Sequence, residues 1–180
     1  MIIIEKYELL LKHLSNLKET SKDDHGDGKT YMTSCEYPAV NFDEVKDEYI
    51  TGLHISGNPR SNDALLVTKD NKSFFIEFKN GYMDNKKIFD VKGKIYESLP
   101  ILTDIIGKGI SYTRNELVYI LVYNGAKNDP STDIKKHIAS KAKAELIRFD
   151  LERFKNFFFK EVHTYTETEF DNFLIENNII

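Results

Sequence analysis

Asp63, Glu77 and Lys79 are the side chains in this sequence whose types and spacing could do chemistry together. Phosphodiester hydrolysis needs a cation that neutralises charge and polarises the phosphate, a water that loses a proton, and a group that stabilises developing charge. Two carboxylates brought to one point can hold Mg²⁺ or Mn²⁺ through oxygen and leave positions for water and phosphate. The backbone carbonyl of Phe78 could add a further oxygen ligand. Lys79 lies two residues after Glu77, so on a strand both point into the same space, where its ammonium can orient or activate water, or stabilise charge.

The elements must deliver that convergence. Residues 61–79 predict a β-hairpin: Ala64 to Val67, a polar turn at Lys69 to Lys72, then Ser73 to Lys79. Phe75, Glu77 and Lys79 share one face, and Phe74, Ile76 and Phe78 the other. Asp63 starts the first strand, where the hairpin brings it near Glu77. Before the hairpin, the spacing of Ile3, Tyr7, Leu10, Leu11, Leu14 and Leu17 predicts a helix over 3–18. A polar loop follows over 20–34. Residues 35–45 are ambiguous, with Pro38 against a continuous helix. Residues 49–55 read as a strand, and 56–62 as a turn. After the hairpin, 88–106 predicts a helix that Pro100 kinks or divides, ended by Gly107-Lys108-Gly109. Leu117 to Tyr123 is a continuously apolar, buried strand. A basic helix from Ser131 or Thr132 to about Ala144, a short strand at 145–149, a helix at 151–159 and a strand at 162–165 follow. Thr166 and Glu169 have capping-box spacing for a last helix through Glu176. The expectation is an α/β fold: one domain over 1–180, a mixed central β-sheet flanked by helices, a core over about 3–149 and a C-terminal extension over 150–180.

Asp63, thirteen intervening residues, then Glu77-Phe78-Lys79 resembles the signature of the PD-(D/E)XK nuclease superfamily, the restriction-endonuclease-like fold. The resemblance implies an αβββαβ core with the motif on its second and third strands. It implies Asp63 and Glu77 as ligands of Mg²⁺ (or Mn²⁺), and Lys79 as the catalytic lysine. Many members add a glutamate from the first helix, for which Glu5 and Glu8 are both candidates. One branch carries Gln-x-x-x-Tyr in the helix after the motif, and Lys92-x-x-x-Tyr96 has that spacing with lysine for glutamine. Asn62 stands where the family often has proline. Glu44-Val45-Lys46 matches the three-residue pattern too, but lacks the apolar strand and the preceding aspartate.

Charge qualifies the partner. The net charge of −4 is not that of a purely electrostatic nucleic-acid binder. Local basic character just after the motif makes Lys86, Lys87, Lys92 and Lys94, with Tyr96, the candidate nucleic-acid path. Residues 19–48 hold nine carboxylates against Lys22, Lys29 and Lys46, a surface suited to a basic protein partner. The second reading is therefore a catalytically silent nuclease-fold protein that binds a protein partner, as an immunity, antitoxin or phage-defence accessory protein. Cys35 is the one cysteine, so no intrachain disulfide forms. No apolar run approaches the ~20 residues of a membrane span, and charges follow Met1 to Ile4 at once, so a cytoplasmic protein is expected. Asp23, His25, Asp27 and Gly28 echo a calcium loop, but Ser34 stands where its glutamate would be. The histidines show no metal spacing.

Overall fold

A computed structural model describes residues 2–23, 30–128 and 146–180. A 3₁₀ turn at Ile4–Lys6 leads into α1 (Glu8–Lys12), β1 (Leu14–Asn16) and α2 (Leu17–Thr20). Two short strands, β2 (Lys22–Asp23) and β3 (Thr30–Tyr31), pair with each other. Then come β4 (Pro38–Asn41), α3 (Phe42–Gly52), β5 (Ala64–Val67), β6 (Ser73–Lys79) and α4 (Asn85–Ile105). The second half holds α5 (Ile110–Glu116), β7 (Leu117–Tyr123), α6 (Gly125–Asn128), a 3₁₀ turn at Glu152–Phe154, β8 (Glu161–Thr166) and α7 (Glu167–Glu176).

The main sheet has the order β1-β4-β5-β6-β7-β8. The β1 to β6 half is antiparallel, while β7 and β8 run parallel to β6. The sheet is therefore mixed, as expected, with helices on both faces. Strand parity decides which side chains meet which helix. Leu65, Phe75, Tyr119 and Leu121 face Val91, Ile95, Leu99 and Leu102 of α4. Ala64, Leu66, Phe74, Ile76 and Phe78 face Phe170 and Leu174 of α7. Glu77 and Lys79 share the parity of Phe75, so they lie on the α4 side.

The hairpin matches the sequence reading closely. Leu65 pairs with Phe75 and Val67 with Ser73. Its turn closes through Thr68 and Lys72, and Asn71 takes the left-handed conformation that asparagine tolerates, at φ 64°. The buried β7 and the Thr166–Glu169 capping box also appear as predicted.

Other expectations are corrected. The single helix over 3–18 is broken, because Leu14–Asn16 pairs with β4 at the sheet edge and Asn16 caps α2 by accepting from the Glu19 N–H at 2.9 Å. Residues 49–55 are not a strand: Tyr49 to Gly52 end α3, whose buried residues Phe42, Val45 and Lys46 follow helical spacing. The first strand of the hairpin sheet is instead β4, where Pro38 is tolerated as the opening residue. Glu44, Val45 and Lys46 thus lie on a helix. Pro100 does not divide α4, which runs unbroken to Ile105. Residues 146–149 form no strand, and only Glu152–Phe154 of 151–159 is helical. The C-terminal extension joins the sheet, since β8 pairs with β7 from Val118 to Tyr123. The basic helix with Lys135, Lys136, Lys141 and Lys143, and most of the calcium-loop echo, lie outside the described residues.

Candidate metal centre

Asp63 is placed by the backbone around it. Its N–H donates to Ile76 O at 3.1 Å, and its carbonyl accepts from the Phe42 N–H at 3.0 Å. Its carboxylate Oδ2 accepts from the Phe78 N–H at 2.7 Å. The aspartate is thereby bound to the strand that carries Glu77. The preceding residue is also held, since the Asn62 N–H donates to the buried Ser98 Oγ of α4 at 2.8 Å.

Glu77 is completely buried, its side chain 0% exposed. A polar, solvated sheet face would leave such a pair in water; α4 covers this one. Lys94 reaches down from α4 and places Nζ 2.9 Å from Asp63 Oδ1 and 2.7 Å from Glu77 Oε1. Lys79 Nζ lies 2.6 Å from the same Glu77 oxygen and 3.8 Å from Asp90 Oδ2. Arg60 continues the alternation, with Nε 3.2 Å from Asp90 and Nη1 3.6 Å from Glu97. It crosses α4 over Gly93, where a Cβ would stand 2.0 Å from its Nη1 and push the guanidinium aside.

The ammonium groups meet Glu77 as ion pairs off the hydrogen-bonding direction, and neither Glu77 oxygen has a directed hydrogen bond among the described residues. Burial pushes the Glu77 carboxyl up to about 7, and Asp63 adds to that, against the pull of Lys94 and Lys79. For Lys94, burial disfavours the charge, but Asp63 and Glu77 outweigh it and hold the ammonium well above its ordinary range. Asp43 is raised as well, by burial and then by Asp63, and Ser61 donates a hydrogen bond to it.

A cleft of about 560 Å³ opens over these groups. Asp43, Asp63, Phe78, Lys79, Asp90 and Lys94 line it. Lys22, Lys87 and Lys127 stand on its walls as well, with Asp23, so the lining mixes both signs of charge.

The structure brings Asp63, Glu77 and Lys79 together, as their spacing suggested. It divides the other candidates. Lys87 and Lys94 line the cleft, whereas Lys86 is exposed outside it. Lys92 turns to Asp150 at 2.5 Å, and Tyr96 packs edge-on against Phe154 and Phe158, each at 5.5 Å. Glu5 and Glu8 are exposed and are not part of the cleft wall, so the first turns of the chain add no acid to the site. Sequence reasoning missed Asp43 and Asp90. Asp43 was hidden by the ambiguous reading of 35–45. Asp90 shows in hindsight as one of the series Lys87, Asp90, Lys94, Glu97, which recurs on one face of α4.

The donor set suits a hard divalent cation. Asp63 and Glu77 already converge on one cation, the Lys94 ammonium, and Glu77 Oε2 has no hydrogen-bond partner among the described residues. Among the described residues no group of three or more His, Cys, Asp or Glu is placed to hold a metal. A metal here would thus rest on two carboxylates and main-chain oxygen, with water and phosphate completing the shell, as Mg²⁺ accepts. Against known protein families, curated proteins and solved structures, the chain gives no match. No helix among the described residues is long and apolar enough to cross a membrane.

Proposed function

We propose that this chain is a metal-dependent nuclease-like enzyme that hydrolyses phosphodiester bonds of DNA or RNA at Asp63, Glu77 and Lys79. The observation that carries the reading is the meeting of the Asp63 and Glu77 carboxylates on a single cation beside Lys79, beneath a lysine-lined cleft. The antiparallel β4-β5-β6 run, the α4 crossover and the parallel β7 support a restriction-endonuclease-like core with the motif on its second and third strands.

Each residue then has a task. Asp63 and Glu77 hold Mg²⁺ or Mn²⁺, with the Phe78 carbonyl as a candidate third oxygen. When bound, the metal polarises the phosphate and lowers the cost of forming hydroxide. Lys79, beside Glu77 and 19% exposed, stabilises charge on the phosphate or orients the attacking water. Lys87 and Lys127 position the phosphate backbone.

Incubation of purified protein with DNA and RNA in Mg²⁺ and in Mn²⁺ tests this. Cleavage is expected with metal and not in chelator. Lys79→Ala and Glu77→Gln are expected to lower the rate ~100-fold or more. A folded protein that cuts neither substrate with either metal sinks the enzymatic reading. The second reading, a silent fold that binds a protein partner through 19–48, draws support from Lys94, which neutralises the carboxylates without a metal. A stable, metal-independent protein complex that is lost on reversing charges at Glu44 and Glu48, both at the protein surface, would favour it.

A further inference from the structure

We infer that Lys94 is an internal cation that competes with the divalent metal for the seat between Asp63 and Glu77. This deepens the metal-dependent reading and rests on it. The geometry is specific. One nitrogen stands 2.9 Å from Asp63 Oδ1 and 2.7 Å from Glu77 Oε1. A Mg²⁺ or Mn²⁺ bridging the same two oxygens would lie about 2.1 Å from each. Ammonium and metal would draw on the same two oxygens, so the two cations compete for them. They also repel: a single charge and a double charge at contact distance in a buried site is a strongly unfavourable arrangement.

Lys94 is built to leave as well as to stay. It comes from α4, on the wall of the cleft, and its side chain is 15% exposed. Its stem is four flexible carbons. Asp43 lines the same cleft, accepts a hydrogen bond from Ser61 Oγ and lies within electrostatic reach of Lys94, so it is the neighbouring carboxylate toward which a displaced ammonium could turn. In the meantime Lys94 performs what the metal would perform electrostatically. Two adjacent carboxylates, one of them fully buried, repel each other, and Lys94 is the cation that contacts both, while Lys79 contacts Glu77 alone. The consequence is a site that is stable without metal, at the cost of weaker metal binding.

Calorimetric titration of the full chain with MnCl₂ measures this directly. Wild type, Lys94→Met and Lys94→Arg are compared, each with its melting temperature in chelator and in Mn²⁺. Lys94→Met removes the charge and keeps the length. It is expected to bind Mn²⁺ about tenfold or more tightly than wild type. It is also expected to melt lower in chelator and to gain more on adding Mn²⁺. Lys94→Arg keeps the charge and is expected to bind Mn²⁺ as weakly as wild type. Binding by Lys94→Met that is equal to or weaker than wild type overturns the competition while leaving the metal site intact. Binding by Lys94→Met with none by wild type upholds the competition and sinks the active-nuclease reading. Absence of binding in both, with both folded, overturns the competition and the metal reading together. Should Lys94→Met not fold in chelator, recovery of a cooperative melt in Mn²⁺ supports the competition, and failure to recover counts against it.

Discussion

Glu77 is the residue on which the electrostatics of the site turn. It is buried, and its folded carboxyl titrates near 7, above the ordinary value of 4.5, because of burial and the nearby Asp63. A carboxyl whose pKa is raised on folding stabilises the fold fully below its unfolded value and loses that contribution as pH rises to the folded one. In metal-free protein, Glu77 therefore contributes most below pH ~4.5 and least above ~7. Glu77→Gln, which resembles the protonated state, should match wild type in melting temperature near pH 4 and exceed it increasingly up to pH 7. Melting curves in chelator across that range check the sign. A wild type that outlasts Glu77→Gln at pH 7 would show that Lys94 and Lys79 overcome the cost of burial. Much of this site was legible in the sequence, since the alternation of Phe75, Glu77 and Lys79 fixes a shared face and Asp63 begins the partner strand. Lys94 was legible as a basic residue near the site. Its contact with both carboxylates was not, because that depends on how α4 lies across β6.

At the scale of elements, the site is a joint between the hairpin and α4. Ser98 Oγ accepts from the Asn62 N–H at 2.8 Å, and both residues are buried. Ser98→Ala would leave that N–H unpaired and should cost roughly 1–3 kcal/mol by chemical denaturation. Because Asn62 adjoins Asp63, the same change should weaken Mn²⁺ binding. A loss of stability with unchanged metal affinity would show that Asp63 is held by Phe42, Ile76 and Phe78 alone. The elements themselves were unequally readable. The hairpin and β7 carry strong apolar patterns in short runs. For α3, the aromatic and β-branched residues at 49–55 suggested a strand, while the helical signal lay in Asn41 as cap and Phe42, Val45 and Tyr49 in phase. Pro38 obscured β4, although the first position of a strand admits proline. The break after Lys12 was hidden because leucines at 14 and 17 fit a helix as well as they fit what forms.

At the scale of the whole molecule, the C-terminal segment is part of the scaffold. β8 extends the sheet beside β7, and Phe170 and Leu174 of α7 cover the face opposite the site. Phe170 meets Phe78 edge-on at 5.8 Å, so the strand bearing Glu77 is backed by α7. Removing residues 161–180 would expose that face and leave β7 as an edge strand paired only with β6. The truncated chain should lack a cooperative thermal transition and bind a hydrophobic dye, as circular dichroism and fluorescence would report. A truncated chain that melts cooperatively would restore the view of a core ending near 149.

The span from Glu77 to Lys94 also sets an order of events in time. The hairpin is local and brings Lys79 to Glu77 by itself, whereas Lys94, the cation shared by Glu77 and Asp63, arrives only when α4 crosses over. Docking of the crossover is therefore the step we expect to limit folding. In chelator, Lys94→Met should refold more slowly than wild type while unfolding at nearly the same rate, a division that stopped-flow kinetics would read. Faster unfolding with unchanged refolding would place the arrival of Lys94 after the barrier.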